Sequence, residues 1–250
     1  MTIRIPPNST HNKSEVWTID FREGAPGSAN TKMYVDDPDS SKFGGLSVAV
    51  PGELRGLEEM HRRWGKLPWK ELVIPSIQLA GGWRVDRELA RRIQVGQSSF
   101  KMTSILILLQ IFSVLLLGNP DFTAIFAPGG FLLREGDIIR RINYSKTLST
   151  IANEGPSAFY NGPTADALVS KIKSSGGILT LADLAGYKVK VEKALHGTYF
   201  GRSVYTTHAP ASGPALLQML NLMEHYPTLR EDGRTGLNVH RLVEAMKCRS

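Results

Sequence analysis

A single cysteine, Cys248, stands among 250 residues. That excludes an intramolecular disulfide framework and any zinc site built on several thiolates. Aromatic residues are few, at 8%. The short signatures of common enzyme classes are missing: there is no G-x-S-x-G elbow, no H-E-x-x-H pair, no P-loop and no G-x-G-x-x-G. His11, His61, His196, His208, His225 and His240 fall without ligand spacing, so neither a metal nor another cofactor is expected. The opening stretch Met1 to Lys13 is polar and carries no apolar h-region, so it does not read as a signal peptide or an anchor. The 24 glycines and 14 prolines follow no period, which excludes collagen-like and low-complexity architecture.

What is present describes a globular chain. Apolar residues make up 42% and charged residues 21%, enough for one substantial domain or two small ones. The 30 Lys and Arg outnumber the 23 Asp and Glu, for a net charge of +7. A nucleic-acid binder gathers such charge on one face and interleaves aromatics. Here it comes as scattered pairs, Arg62-Arg63, Arg91-Arg92 and Arg140-Arg141, with Glu58, Glu59, Asp86, Glu88 and Asp137 close by. The pattern reads as solvated helix faces of mixed sign, not as a nucleic-acid surface.

Periodicity outlines a mixed α and β domain. Glu15 to Arg22 alternates as a strand, and Gly44 to Gly52 is a short apolar run closed by a turn. Leu54, Leu57, Met60 and Trp64 then recur at helical spacing. Further helices are predicted over 69–79 and 85–94, and Gly118-Asn119-Pro120 reads as the start of a turn. Thr180 to Asp183 fits a capping box. Val189 to Val191 and Thr198 to Thr206 are each predicted as a strand. Ser212 is expected to cap a helix whose first turn holds Pro214. A last helix over 236–247 carries Leu237, His240, Val243 and Met246 at helical spacing, with His240 read as a half-buried structural residue.

Two features stand apart. Three N-x-[S/T] triplets, at Asn8, Asn12 and Asn143, permit N-glycosylation. Met102 to Leu117 is almost wholly apolar, yet at 16 residues it is short of the roughly 20 that span a bilayer. A buried helix, a membrane contact and translated non-coding sequence all fit it.

The word sequence goes further than periodicity. The blocks Thr18 to Pro26, Phe43 to Leu57, Trp64 to Trp69 and Pro75 to Ala80 closely resemble the γ-glutamyltranspeptidase (glutathione hydrolase) family. So do Gly136 to Arg141, Tyr144 to Leu148, Gly155 to Gly162, Gly176 to Thr180, Asp183-Leu184 and Pro210 to Pro214, in the family's order. The resemblance implies an α+β fold, part of an Ntn-hydrolase (N-terminal-nucleophile) αββα sandwich: a helix-rich large-subunit portion with an incomplete sheet. It implies a precursor that cleaves itself, and a small subunit whose new N-terminal Thr attacks the γ-glutamyl carbonyl with its own amine as base. The γ-glutamyl-enzyme then passes to water or to an amino acid or peptide. Glutathione and other γ-glutamyl compounds are the expected substrates, and residence outside the cytoplasm is expected.

Arg22 matches the family's Arg that grips the α-carboxylate of the γ-glutamyl group. A guanidinium presents a planar fork that fits a carboxylate bidentately, as a Lys does not. The competing reading pairs Arg22 with Asp20 or Glu23 and leaves it without function. The resemblance also implies that residues 1–250 are a single partial large-subunit domain, without the small subunit, its nucleophile and its oxyanion donors. Such a chain is expected to be inactive alone. The alternative expectation is a non-catalytic remnant that binds γ-glutamyl compounds or a partner subunit. Finally, omitting 95–110 joins Ala90 to Gln94 with Ile111 to Leu117 in a run closer to the family's. A Val codon begins with GT and Gln110 can be encoded CAG, so 95–110 is read as an in-frame retained intron. Sequencing the transcript across these codons is expected to show the segment spliced out; its retention in most reads refutes the intron.

Overall fold

The computed structural model describes residues 1–7, 12–94, 118–226 and 229–247. The proposed insertion at 95–110, the whole apolar stretch 102–117, the Asn8 triplet's acceptor and Cys248 lie outside the described residues. In chain order the elements begin β1 (Thr2–Ile5), β2 (Glu15–Asp20), α1 (Glu53–Trp64), α2 (Trp69–Gly81), β3 (Trp83–Arg84) and α3 (Arg87–Gln94). There follow α4 (Pro120–Phe126), β4 (Ile138–Ile139), α5 (Ile142–Glu154), α6 (Ser157–Tyr160), α7 (Pro163–Ser174) and α8 (Leu181–Gly186). The last are β5 (Lys190–Lys193), β6 (Leu195–Tyr199), β7 (Arg202–Thr206), α9 (Gly213–Glu224), α10 (Leu229–Asp232) and α11 (Gly236–Lys247). The chain divides into two compact units, one formed by 1–64 with 172–250 and one by 65–171.

The first unit is organised on an antiparallel sheet of order β1-β2-β5. As the middle strand, β2 has neighbours on both edges, which is why Thr18 and Ile19 are buried. Trp17 sits 6.4 Å from Trp64 of α1 and carries the Lys193 ammonium over its ring at 4.6 Å. Beyond β2 the backbone runs beneath α1 at two glycines. A Cβ at Gly56 would overlap the ring and Cβ of Phe21, and one at Gly52 would overlap the Phe21 carbonyl. The predicted apolar run before α1 is a 3-10 turn at Gly45–Ser47 followed by a bridge between Val50 and Gly24. Gly45 donates to the Ser175 carbonyl at 2.8 Å, and a Cβ there would stand 2.6 Å from the Gly177 amide. Two separate family blocks thus meet backbone to backbone.

Several expectations shift in this unit. The strand expected over 198–206 is the hairpin β6–β7, in register from Leu195↔Thr206 to Tyr199↔Arg202. Its two turn residues, Phe200 and Gly201, both have positive φ (45° and 74°). That twist suits a two-residue hairpin, and the Phe200 amide is held by the Glu224 carboxylate at 2.7 Å. Ser212 precedes α9 but makes no capping bond, because its backbone (φ −78°, ψ 18°) is not extended. On α11 the inward residues are Asn238 and Ala245. Asn238 is satisfied there, donating to the Gly233 carbonyl at 2.9 Å and accepting from Arg241 at 3.1 Å. His240, expected half-buried, is exposed, as are Val239, Leu242, Val243 and Met246.

In the second unit Val85, Ala90, Ile93, Ala127, Leu132, Leu133 and Ile139 form the core, over the short β3–β4 ladder. Helix α3 starts two residues later than predicted. Val85 is paired with Gly136 and Asp137, and the Asp86 carboxylate caps the helix by accepting from Leu89 at 2.8 Å. The expected turn at 118–120 is the start of α4: Asn119 accepts from the Asp121 amide at 2.9 Å and Pro120 fills the first turn. Helix α5 packs on α2, with Ser145 donating to the Ile77 carbonyl at 3.0 Å and Trp69 to the Ile151 carbonyl at 3.1 Å.

Replacing Gly56 by Ala is expected to lower stability by about 1–3 kcal/mol, because Phe21 is gripped close to its backbone and cannot give way. Gly81→Ala, with nothing within 4 Å of the new methyl, is expected to be neutral or slightly stabilising at the end of its helix. Urea midpoints of the two variants check the contrast.

Candidate functional site

Strand β2 ends at Asp20, and Arg22 follows after the buttressed Phe21. Both backbone polar groups of Arg22 are taken. Its amide donates to Asp20 Oδ1 at 3.1 Å, and its carbonyl accepts from the Tyr187 hydroxyl at 2.6 Å. Two residues on, Gly24 and Val50 exchange backbone bonds of 3.1 and 2.8 Å. At Gly27 the amide donates to Asp183 Oδ1 at 2.8 Å. A span of six residues is therefore tied down at its start, middle and end.

The Arg22 side chain is left facing solvent, with 58% of it exposed. Its Nε lies 3.6 Å from Glu23 Oε1, a long contact between two exposed groups. Pairs of this kind contribute little, typically about 0–1 kcal/mol. Asp20, the other candidate for neutralising Arg22, binds its backbone amide. Chemically the arrangement is a guanidinium on an anchored strand end, accessible to a carboxylate that accepts two parallel N–H bonds.

Tyr187 and Asp183 were not legible as parts of this site. Asp183 was visible as the end of a capping box and within the Asp183-Leu184 block, but not as a support of Arg22. The structure contains the box in full: Asp183 donates its amide to Thr180 Oγ1, and its Oδ2 accepts from the Thr180 hydroxyl and amide at 2.7 and 2.9 Å. Its second oxygen reaches a loop 156 residues away in sequence. The Thr180 hydroxyl first, then the Gly27 and Thr180 amides, hold this carboxyl below its ordinary value of 3.8. Tyr187 lies 165 residues from its partner, and no local pattern announces the pairing.

The remaining sequence candidates lie elsewhere. Asn12 is exposed just before β2. Asn143 is exposed in the first turn of α5, in the unit 65–171. An open cavity of about 520 Å³ at the start of β2 is lined by Asn12, Lys13, Glu15, Lys193 and Tyr205, and does not include Arg22. Two of the three basic pairs are bonded to a local glutamate. Arg62 and Arg63 both hold Glu59, at 2.7 and 2.6 Å, and Arg91 and Arg92 both hold Glu88, at 2.8 Å each. Hydrogen bonds from these arginines bring each glutamate down to a pKa of about 2. Among the described residues no three His, Cys, Asp or Glu side chains are grouped to hold a metal, and no helix is long and apolar enough to cross a membrane.

Comparison with known proteins covers nearly the whole chain. A sequence profile described as Gamma-glutamyltranspeptidase matches residues 8–250. Glutathione hydrolase proenzyme 1 of Schizosaccharomyces pombe is 36% identical over 99% of this chain, which spans 37% of that relative. Glutathione hydrolase proenzyme of Arthroderma benhamiae is 38% identical over 99% of this chain and 39% of its own length. The chain therefore spans well under half the length of the curated relatives it matches. The crystal structure of Helicobacter pylori γ-glutamyltranspeptidase superposes with a TM-score of 0.83 at 28% identity, covering 100% of this chain and 68% of that one.

Because the folded pKa of Asp183 is lowered, its contribution to stability is present above the ordinary carboxylate range and is lost as pH falls through the lowered value. Asp183→Asn is expected to cost about 1 kcal/mol at pH 7, the usual worth of a helix cap. It should also flatten the acid limb of a stability–pH profile, measured by urea denaturation between pH 2 and 7.

Proposed function

The chain belongs to the γ-glutamyltranspeptidase family, and from that premise we propose that it is the large-subunit part of a glutathione hydrolase and γ-glutamyltransferase. The observation that carries the reading is Arg22: a guanidinium exposed for ligand on a backbone whose amide and carbonyl are both committed. Its task is to hold the α-carboxylate of a γ-glutamyl donor. That fixes the donor's amino-acid end and leaves the γ-carbonyl to be placed against a nucleophile. Holding two reactants in a fixed geometry is a large part of what such a site contributes.

The nucleophile, in this reading, is the N-terminal Thr of a small subunit cut from the same precursor. Its amine takes the hydroxyl proton as the Thr oxygen attacks the γ-carbonyl, and that proton passes to the leaving amine of the donor. The γ-glutamyl ester is then cleaved by water or by the amine of an amino acid or peptide. Without that subunit the chain is expected to bind a donor but not to turn it over. Residence outside the cytoplasm belongs to the same proposal, with carbohydrate on the exposed Asn12 and Asn143.

In the processed enzyme, Arg22→Lys is expected to raise KM for a γ-glutamyl donor roughly tenfold or more, with a much smaller change in kcat. The replaced fork would lose at least one charge-assisted bond of about 1.5–3 kcal/mol. An unchanged KM removes Arg22 from the site.

A further inference from the structure

Arg22 depends on a residue far from it in sequence. Helix α8 is only six residues long, yet both of its ends are occupied. At its start Asp183 closes the capping box and takes the Gly27 amide. At its end Tyr187 occupies the cap position, with its own amide donating to the Leu184 carbonyl and Leu184 fully buried. Asp183 and Tyr187 are four residues apart and so lie on one face of the helix. That face meets both ends of the span 22–27.

The room for this contact is made by glycine. A Cβ on Gly52 would overlap the Tyr187 hydroxyl and ring carbon, so no other residue at position 52 lets the phenol reach Arg22. The hydroxyl then donates to the Arg22 carbonyl at 2.6 Å, while Asp20 takes the amide of the same residue at 3.1 Å. With both groups engaged, rotation of the Arg22 backbone breaks one bond or the other. The direction in which its side chain leaves the strand is set by that pair.

We propose that Tyr187 is a positioning residue for donor binding: it holds the Arg22 backbone so that the guanidinium fork presents itself flat to the donor's α-carboxylate. This rests on the reading of Arg22 given above. The mechanism is preorganisation. A bidentate pair needs the fork plane fixed within a narrow range, and a strand end free to rotate would have to be ordered when the donor binds. Loss of the phenol bond should therefore weaken donor binding through Arg22 and leave the chemical step alone.

The test is a double-mutant cycle on the processed enzyme, with donor KM, kcat, acceptor KM and melting temperature measured for Tyr187→Phe, Arg22→Ala and the pair. Tyr187→Phe is expected to raise donor KM roughly three- to tenfold, as loss of one hydrogen bond does, with kcat and acceptor KM unchanged. In the Arg22→Ala background the same substitution should have no further effect, because it acts through the missing guanidinium. A merely structural role predicts the opposite: a lowered melting temperature, with kcat and KM disturbed whether or not Arg22 is present. If Arg22→Ala raises donor KM and Tyr187→Phe does not, the positioning role is overturned and the Arg22 reading stands. If Arg22→Ala leaves donor KM unchanged, both fall together. Should Tyr187→Phe not fold, Tyr187→Met, which also lacks the hydroxyl, is judged by the same outcomes.

Discussion

The absence of two side chains governs the end of β2. Gly52 and Gly56, one turn apart at the start of α1, let Phe21 and Tyr187 come closer to the helix backbone than any Cβ would allow. Protein interiors are packed densely enough that a single methyl at such a crossing must displace something. At Gly56 it would displace Phe21, and the strand end with it. At Gly52 it would displace the phenol that holds Arg22. The position of the guanidinium thus follows from where side chains are missing as much as from where they are present. The crossing of Gly45 and Gly177 repeats the device between the loop before α1 and the loop after α7.

The electrostatics are local. A net charge of +7 suggests a basic surface, but at α1 and α3 one glutamate serves two arginines within a helical turn. Arg141 lies over the Tyr144 ring at 4.4 Å and Lys193 bonds Glu15 at 2.5 Å. Arg22 differs from these: its Nε lies 3.6 Å from the Glu23 carboxylate, beyond hydrogen-bond distance, and that carboxylate is itself exposed. Among the pairs named here it is the one with the capacity to exchange its partner for a ligand at little cost.

What the sequence disclosed depended on range. Helices α1 and α11 were legible because twelve contiguous residues carry one period, and the Thr180–Asp183 box because it is closed within four. Helix α5 was not. Its Ser and Thr residues obscure the period, and their hydroxyls are satisfied by bonding back to carbonyls four residues earlier, as Thr147 does to Asn143 and Ser149 to Ser145. The turn at Phe200 hid because a bulky residue at positive φ is outside the usual hairpin vocabulary. The helix-rich fold with short sheets came from the family resemblance, and the superposition on the H. pylori structure agrees with it. Arg22 was legible only through that resemblance, since an arginine at a strand end has no signature of its own. Its supports, Tyr187, Asp183 and Gly52, are joined to it by tertiary contacts, and a single sequence does not display those.

The sheet order carries a consequence for synthesis. Strand β2 pairs on one edge with β1, which precedes it, and on the other with β5, whose residues lie more than 160 positions later. The residues between include the whole of the unit 65–171, an unbroken piece of chain with its own core. On a ribosome adding about 5–20 residues per second, Arg22 emerges roughly ten to thirty seconds before Tyr187. For that interval the nascent strand has an open edge, the kind of surface that invites mispairing. The inserted unit can complete itself meanwhile. The site is therefore completed only after the unit 65–171 has been synthesised, and its assembly is timed by the arrival of α8.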